Sequence, residues 1–526
     1  MHRTKGLRLS KIEEEDSSFF LIKILPAILS GIMMTASFPP GRLSFLAWFA
    51  LAPLFKSLEN ASPSTAFRLG FIAGAVHYLT LIYWIVLVLK HYGGLSILAS
   101  IGPFLLLCLY LALYPAVFSV LITRLKGHRF DLILMACFWV CLEYLRSNLL
   151  TGFPWCLLGY TQYNHLHLIQ IADLFGVYGL SFLIVLVNSA LYRLTKNCPG
   201  GKRSILKWDI IFTLLMVSGA LAYGHYRLTE TIPGDRHCPR LRVTIVQANI
   251  DQSIKWDTAY RAKTMETYQR LTRSTCDFKP ELIVWPETAV PFFFQNEPEF
   301  SQRLFSIAKE MQATLIFGSP AYIQNNGDIS YYNRAYLMGP HDQTTQRYDK
   351  THLVPFGEYI PLKKLLFFIN RLVPAAGDFK EGDTVAPLKY EGLSPGILIC
   401  FEAIFPELAR AQTKNGADLL VNLTNDAWFG TTSAPYQHLS MTVLRAVENR
   451  RTIIRAANTG FSAFIEPQGR IIATSSLFRE ETLTSSVRLS HSPLTFYTRF
   501  GDLFALFLTA ISFIFIVSCL WAKRIR

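Results

Sequence analysis

Three polar residues in the C-terminal half of the chain stand at the ends of apolar runs. They are Glu287 in LIVWPET, Lys350 in YDKTHLVPFGEYIP and Cys400 in GILICFEAIFPE. Taken singly, each has an ordinary explanation: a strand-end carboxylate, a solvated loop lysine, a small core thiol. Together, a thiol, a carboxylate and an ammonium are the parts of an acyl-transfer site. Cys400 is the candidate nucleophile, and its place at a strand-to-helix turn is expected to favour the thiolate through the helix N-terminus. Glu287 is the candidate general base, first for the thiol and then for the second nucleophile. Lys350 offers a fixed charge to a tetrahedral oxyanion, and the backbone N–H of Phe401 completes the oxyanion hole. Glu358, in the same loop as Lys350, is placed to hold it.

Such a site needs strands to carry it. Between residues 226 and 500 the pattern is one of short Val-, Ile- and Leu-rich runs separated by helical periodicity. Strands are expected at 241–250, 281–287, 313–319, 396–402 and 417–425, with helices at 258–274, 299–312, 403–415 and 436–450. FSAFIEP and GRIIATS flank Gln468-Gly469 as a hairpin. This is the pattern of an α/β sandwich with buried strands. Among the familiar catalytic signatures, no phosphate loop, GxGxxG, GxSxG or HExxH is found in it. His352 and His438 lack metal-ligand spacing, so capping or solvated roles are expected and no metal is implied.

The flanks are different in kind. Apolar runs at about 19–37, 44–57, 66–89, 95–123, 131–146, 172–192, 207–224 and 503–521 give an expectation of about eight transmembrane helices. The first is read as an uncleaved helix, since further spans follow it directly. This divides the chain into a membrane domain at 1–225 with about seven spans, an extracytoplasmic domain at 226–500, and a last span with a basic tail at 501–526. The expected cytoplasmic loops carry clusters such as Arg124, Lys126 and Arg129, or Lys202, Arg203 and Lys207. The opposite short loops carry only Arg42, Lys90 and Arg146. By the positive-inside rule both termini are cytoplasmic.

Composition agrees: 51% of residues are hydrophobic, 17% are charged and the mean hydropathy is +0.28. The net charge of +14 is thereby largely topological, which removes the main support for nucleic-acid binding. Glu143 and Asp173 stand in apolar runs, where carboxylates usually face protein or water; Glu143 is expected to pair with Arg146. Nine cysteines contain no CxxC pair, and Cys238 and Cys276 are free to bridge or not.

The three motifs, in this order, resemble the nitrilase superfamily, whose Glu, Lys and Cys they match. With spans on both sides, the whole chain resembles the apolipoprotein N-acyltransferase family of bacterial envelopes. VQANIDQSIKWD, YYNRAY and NLTNDAWFG extend the match; the family position after the Cys is often Tyr and here is Phe401. The resemblance implies an αββα catalytic domain facing the periplasm from the bacterial cytoplasmic (inner) membrane. It implies a ping-pong reaction without cofactor. Cys400 takes an acyl chain from the sn-1 ester of a glycerophospholipid, commonly phosphatidylethanolamine. The thioester then acylates the α-amino group of a diacylglyceryl-cysteine on an apolipoprotein. It also marks Trp256, Asn333, Glu402 and Trp428 as substrate-binding positions. Two apolar stretches, VPFFF at 290–294 and LLFFINRLV at 365–373, are candidates for a membrane-dipping lid. Two rival readings stay open on sequence alone: a membrane-anchored amidase using the same triad, and a transporter or scaffold with an inactive domain.

Overall fold

Runs that are apolar on both sides of a strand need cover on both faces, and these find it by stacking two sheets between helices. The structure is a computed structural model describing residues 22–125, 128–195, 203–230, 240–325, 327–341, 345–359, 379–490 and 492–524. Its strands are β1 (Arg240–Gln247), β2 (Leu282–Val284), β3 (Thr314–Asn325), β4 (Asp328–Met338), β5 (Thr345–Asp349), β6 (Pro395–Ile399), β7 (Leu419–Thr424), β8 (Ile453–Ala457), β9 (Ala463–Ile465), β10 (Ile471–Thr474) and β11 (Glu481–Arg488). One sheet has the order β11-β1-β2-β3-β4-β5 and the other β10-β9-β8-β7-β6. Within each, three neighbouring strands run parallel: β1-β2-β3 and β6-β7-β8. Their carboxyl ends are where a site in such a sheet is expected.

Val243, Ile245, Leu282 and Val284 meet Ile397, Ile399, Val421 and Leu423 between the sheets. Helices Arg261–Arg273 and Pro298–Met311 cover the first sheet from outside, burying Met265, Tyr268, Leu304 and Ile307. The second sheet is covered by Pro406–Lys414 and Ala434–Asn449. These helices share one continuous apolar core with the membrane helices, in which Ala409 and Leu444 join Phe138, Leu158 and Leu183. The two-sheet sandwich therefore rests on the apolar helical half through one of its own helical layers. The hairpin at Gly469, which takes φ +84°, forms as the sequence predicts between β9 and β10.

The number of spans among the described residues is smaller than expected. Among the described residues five helices are long and apolar enough to cross a membrane: Ile97–Arg124, Asp131–Thr151, Ala172–Leu194, Leu206–Thr229 and Leu503–Trp521. A sixth is reached if Pro63–Leu81 and Trp84–His91, bent by 49° at their break, count as one. The expected eight included 44–57, which breaks into a 3-10 turn, Ser44–Trp48, and a short helix, Ala52–Ser57. It also included the first run, whose described helix, Ile22–Ala36, falls short of the roughly 20 residues a span needs.

Two further expectations are corrected. VPFFF is no lid: Val290, Phe292 and Phe294 are buried in the core beneath the first sheet, with Phe294 packed on Phe317 and Tyr336. Glu143 accepts from the Leu158 amide at 2.7 Å, while Arg146 donates to the carbonyls of Trp155 and Cys156 instead of to Glu143. Residues 365–373 and Cys238 lie outside the described residues; Cys276 is exposed.

Candidate active site

Glu287 comes three residues after β2, where the chain is held tightly to β3. Trp285 N–H donates to the Ile316 carbonyl and Gly318 N–H to that of Pro286. The approach requires a glycine: a Cβ on Gly318 would lie 2.5 Å from the Thr288 nitrogen and 2.8 Å from the Glu287 Cα. Lys350 follows β5 directly, its amide tied to the Asn333 carbonyl of β4. The side chains then converge. Lys350 Nζ is 2.9 Å from Glu358 Oε1 and 3.9 Å from Glu287 Oε1. Asn333 Nδ2 donates to both of those oxygens, at 2.8 Å to Glu287 and 2.9 Å to Glu358. Glu358 Oε2 accepts from the Val354 amide at 2.8 Å. Glu287 Oε2 is buried and, among the described residues, has no hydrogen-bond partner.

Cys400 ends β6 beside Thr424 of β7 and takes φ +51°, a left-handed conformation that costs a non-glycine residue about 1–3 kcal/mol. Two contacts hold it there. Glu402 Oε2 accepts from the Ile399 amide at 2.6 Å, and His438 Nε2 donates to the Cys400 carbonyl at 3.2 Å. The following residues form a 3-10 turn, Cys400–Ile404, and the regular helix begins only at Pro406. The thiol consequently does not sit at the N-terminus of a regular helix, where the sequence reading places it. Burial, and then the Glu287 carboxylate, push its pKa well up, with Lys350 opposing them. Burial also raises Glu287, against the pull of Lys350. Lys350 is pulled down by burial, but Glu358 and Glu287 outweigh this and keep it cationic. At rest the site holds a neutral thiol beside a base with one open oxygen and an ammonium locked between two carboxylates.

Asn333, expected to touch substrate, bridges the two carboxylates from within the cluster. Glu402, also expected to bind substrate, instead has its carboxylate consumed internally. Oε1 accepts from the Thr351 amide at 2.7 Å, the Tyr348 hydroxyl at 2.9 Å and the His352 amide at 3.2 Å. With Oε2 on Ile399, it ties the Lys350 loop to the Cys400 turn. Trp256 and Trp428 are half-buried, and the Trp428 ring lies 4.8 Å from that of Tyr92 at the end of the bent membrane helix. Phe401 is half-buried against Phe405.

Sequence reasoning passed over one group and misassigned another. Lys255, adjacent to Trp256, is 3% exposed and donates to the Glu287 carbonyl at 3.2 Å. Burial lowers its pKa to about 8, against the carboxylate of Glu287. His438 is neither solvated nor a cap: it is buried, with Asp426 Oδ1 and Arg455 Nη2 each 3.1 Å from Nδ1. The signal for Lys255 was its place inside VQANIDQSIKWD; His438 lies outside every quoted motif, and nothing in its spacing marks it. No group of three or more His, Cys, Asp or Glu able to hold a metal occurs among the described residues.

Comparison with known proteins bears on the arrangement. Residues 30–190 match the family model described as apolipoprotein N-acyltransferase N-terminal domain, and residues 242–492 that described as carbon-nitrogen hydrolase. The chain is 46% identical to the apolipoprotein N-acyltransferase of Geobacter metallireducens, over 91% of this chain and 92% of that protein. It is 33% identical to that of Pasteurella multocida, over 94% of each. Among solved structures, a carbon-nitrogen hydrolase from Helicobacter pylori G27 aligns with 48% of this chain and 90% of its own, at 19% identity and a TM-score of 0.38.

Proposed function

The chain belongs to the apolipoprotein N-acyltransferase family, and on that premise we propose that Cys400, Glu287 and Lys350 carry its acyl transfer through a thioester. The chain is an acyltransferase of apolipoproteins, and the amidase reading is not favoured. The observation that carries the site assignment is the convergence of Glu287, Lys350, Glu358 and Asn333 in one buried cluster, with Lys350 Nζ 2.9 Å from Glu358 and 3.9 Å from Glu287. The charges of that cluster also bear on the Cys400 thiol.

In the first half-reaction Glu287 takes the thiol proton as sulfur attacks the sn-1 ester carbonyl of a glycerophospholipid, phosphatidylethanolamine being the expected donor. The oxyanion forms between the Lys350 ammonium and the Phe401 N–H. Collapse breaks the bond to the glycerol oxygen, which leaves with the proton from Glu287 as lysophospholipid. In the second half the α-amine of the diacylglyceryl-cysteine attacks the thioester and gives a proton to Glu287. Collapse forms the amide and expels the Cys400 sulfur, which regains the proton. Glu358 and Asn333 hold Lys350 and Glu287 in register, and Glu402 holds the two loops together.

Both substrates are held in a bilayer by acyl chains. This agrees with a catalytic domain at 226–500 seated on the membrane domain at 1–225 and followed by the segment at 501–526. The asymmetry of basic loops supports a periplasmic catalytic domain and cytoplasmic termini. The test supplies the purified protein with phospholipid and a synthetic diacylglyceryl-cysteine lipopeptide. The expected products are an N-acylated peptide and lysophospholipid in equal amounts, with no peptide acylation by Cys400→Ala. Free fatty acid in place of acylated peptide would contradict the proposal.

A further inference from the structure

Cys400 is held in a left-handed conformation, and such a residue persists only where its surroundings over-determine it. The grip on its carbonyl has a chemical consequence. The Cys400–Phe401 peptide is planar, so whatever fixes the Cys400 oxygen also fixes the direction of the Phe401 N–H. His438 Nε2 is what fixes it, at 3.2 Å. A carbonyl only accepts, so this contact uses a proton on Nε2. Nδ1 is 3.1 Å from both Asp426 Oδ1 and Arg455 Nη2, and Arg455 also donates to Asp426 Oδ2 at 2.8 Å. Burial and the Arg455 charge lower the pKa of the ring, against the pull of Asp426. His438 thus aims the amide that the proposed reaction uses, without touching substrate.

Its neighbour on the same helix, Ala434–Asn449, faces the other way, because successive helical side chains diverge by about 100°. Gln437 Oε1 accepts from Trp155 Nε1 at 2.8 Å and Trp84 Nε1 at 3.2 Å, while Nε2 donates to the Leu81 carbonyl at 3.1 Å. Leu81 and Trp84 are the two lips of the 49° break in the bent membrane segment. A freed carbonyl at such a break needs a donor from elsewhere in the protein. One dipeptide therefore satisfies the broken membrane helix with one side chain and the nucleophile turn with the next.

We propose that Gln437 and His438 are positioning residues through which the bent membrane segment sets the Cys400 turn and its oxyanion amide. This rests on Cys400 being the nucleophile. It goes beyond the triad by placing part of the site's geometry under the control of a membrane helix.

The test is single-turnover formation of the Cys400 thioester by full-length protein in phospholipid nanodiscs, across a range of donor lipid. His438→Ala is expected to slow acylation about 100-fold, the scale of losing one oxyanion donor, with little change in the lipid concentration for half-maximal rate. His438→Gln, which returns an N–H near the Nε2 position, is expected to recover part of that loss. Gln437→Leu is expected to slow the same step roughly tenfold. Combined with His438→Ala it should add little, since both act on one peptide plane. Wild-type rates in both single variants would overturn the proposal. So would a loss confined to half-saturating lipid, or one that His438→Gln fails to recover while its unfolding temperature matches wild type. Absence of thioester in the wild-type protein would instead strike the nucleophile assignment.

Discussion

Two buried charged clusters in this molecule have similar parts and opposite finishes. At the joint between the halves, Asp173 is fully engaged. Its Oδ1 accepts from the Tyr223 hydroxyl at 2.8 Å, and its Oδ2 from Arg227 Nε at 2.9 Å and Arg450 Nη2 at 2.7 Å. In the candidate active site, Glu287 Oε1 accepts from the Asn333 amide at 2.8 Å and lies 3.9 Å from the Lys350 ammonium, while Oε2 has no partner among the described residues. A structural cluster gains by closing its valences, because an open one costs stability. An open oxygen is not by itself the mark of a catalytic cluster, since among the described residues Glu143 and Glu448 also carry one. What sets the Glu287 cluster apart is that a carboxylate, an ammonium and a thiol meet there.

The contrast is broken most sharply by exchanging charge for shape. Glu287→Gln keeps the side-chain size and removes the base, so the acylation rate is expected to fall by about 10³- to 10⁴-fold in single-turnover assays. Calorimetry on the same variant should find it no less stable than wild type, since a neutral amide is easier to bury. Asp173→Ala should do the reverse. It strands the buried Arg450 guanidinium, and an unfolding free energy lower by about 3–5 kcal/mol is expected, with the half-saturating donor concentration of the surviving folded protein unchanged.

The pH dependence sharpens the same point. Ionised Glu287 is the working base and its carboxyl is held above the ordinary 4.5, so the acid limb of the acylation rate should lie above that value. For stability the sign is opposite. A carboxyl raised in the folded state loses stability as pH climbs from the unfolded to the folded pKa, so Glu287→Gln should gain on wild type through that window. The smallest effect is expected for Phe401→Tyr, which restores the residue common in the family: a rate within about threefold of wild type, because only the backbone N–H acts.

The alternation of apolar runs and helices was enough to read the sandwich and most of its elements, because each buried strand is a local pattern. The span count was less legible. Hydropathy registers apolar length, but the proline-bearing segment at 52–57 and the break after Leu81 are decided by packing. Glu287, Lys350, Glu358 and Cys400 were visible as motif residues, and the structure brings the first three into one cluster that lies close enough to Cys400 to shift its thiol. The helix N-terminus expected behind Cys400 is displaced to Pro406 because the turn between them is 3-10, which no spacing reveals. Glu402 was assigned to substrate, His438 to a capping or solvated role, and Lys255 to none. In all three the role depends on partners more than 30 residues away, such as Thr351, Glu287 and Cys400.

The central claim is that Cys400 carries the acyl group. The direct measurement is peptide mass spectrometry of the purified protein incubated with phospholipid alone. The expected result is a fatty-acyl increment on the Cys400 peptide that hydroxylamine removes, that a lipopeptide acceptor discharges, and that Cys400→Ala abolishes. A folded Cys400→Ala protein that still acylates the lipopeptide, or an increment on another residue, would contradict it.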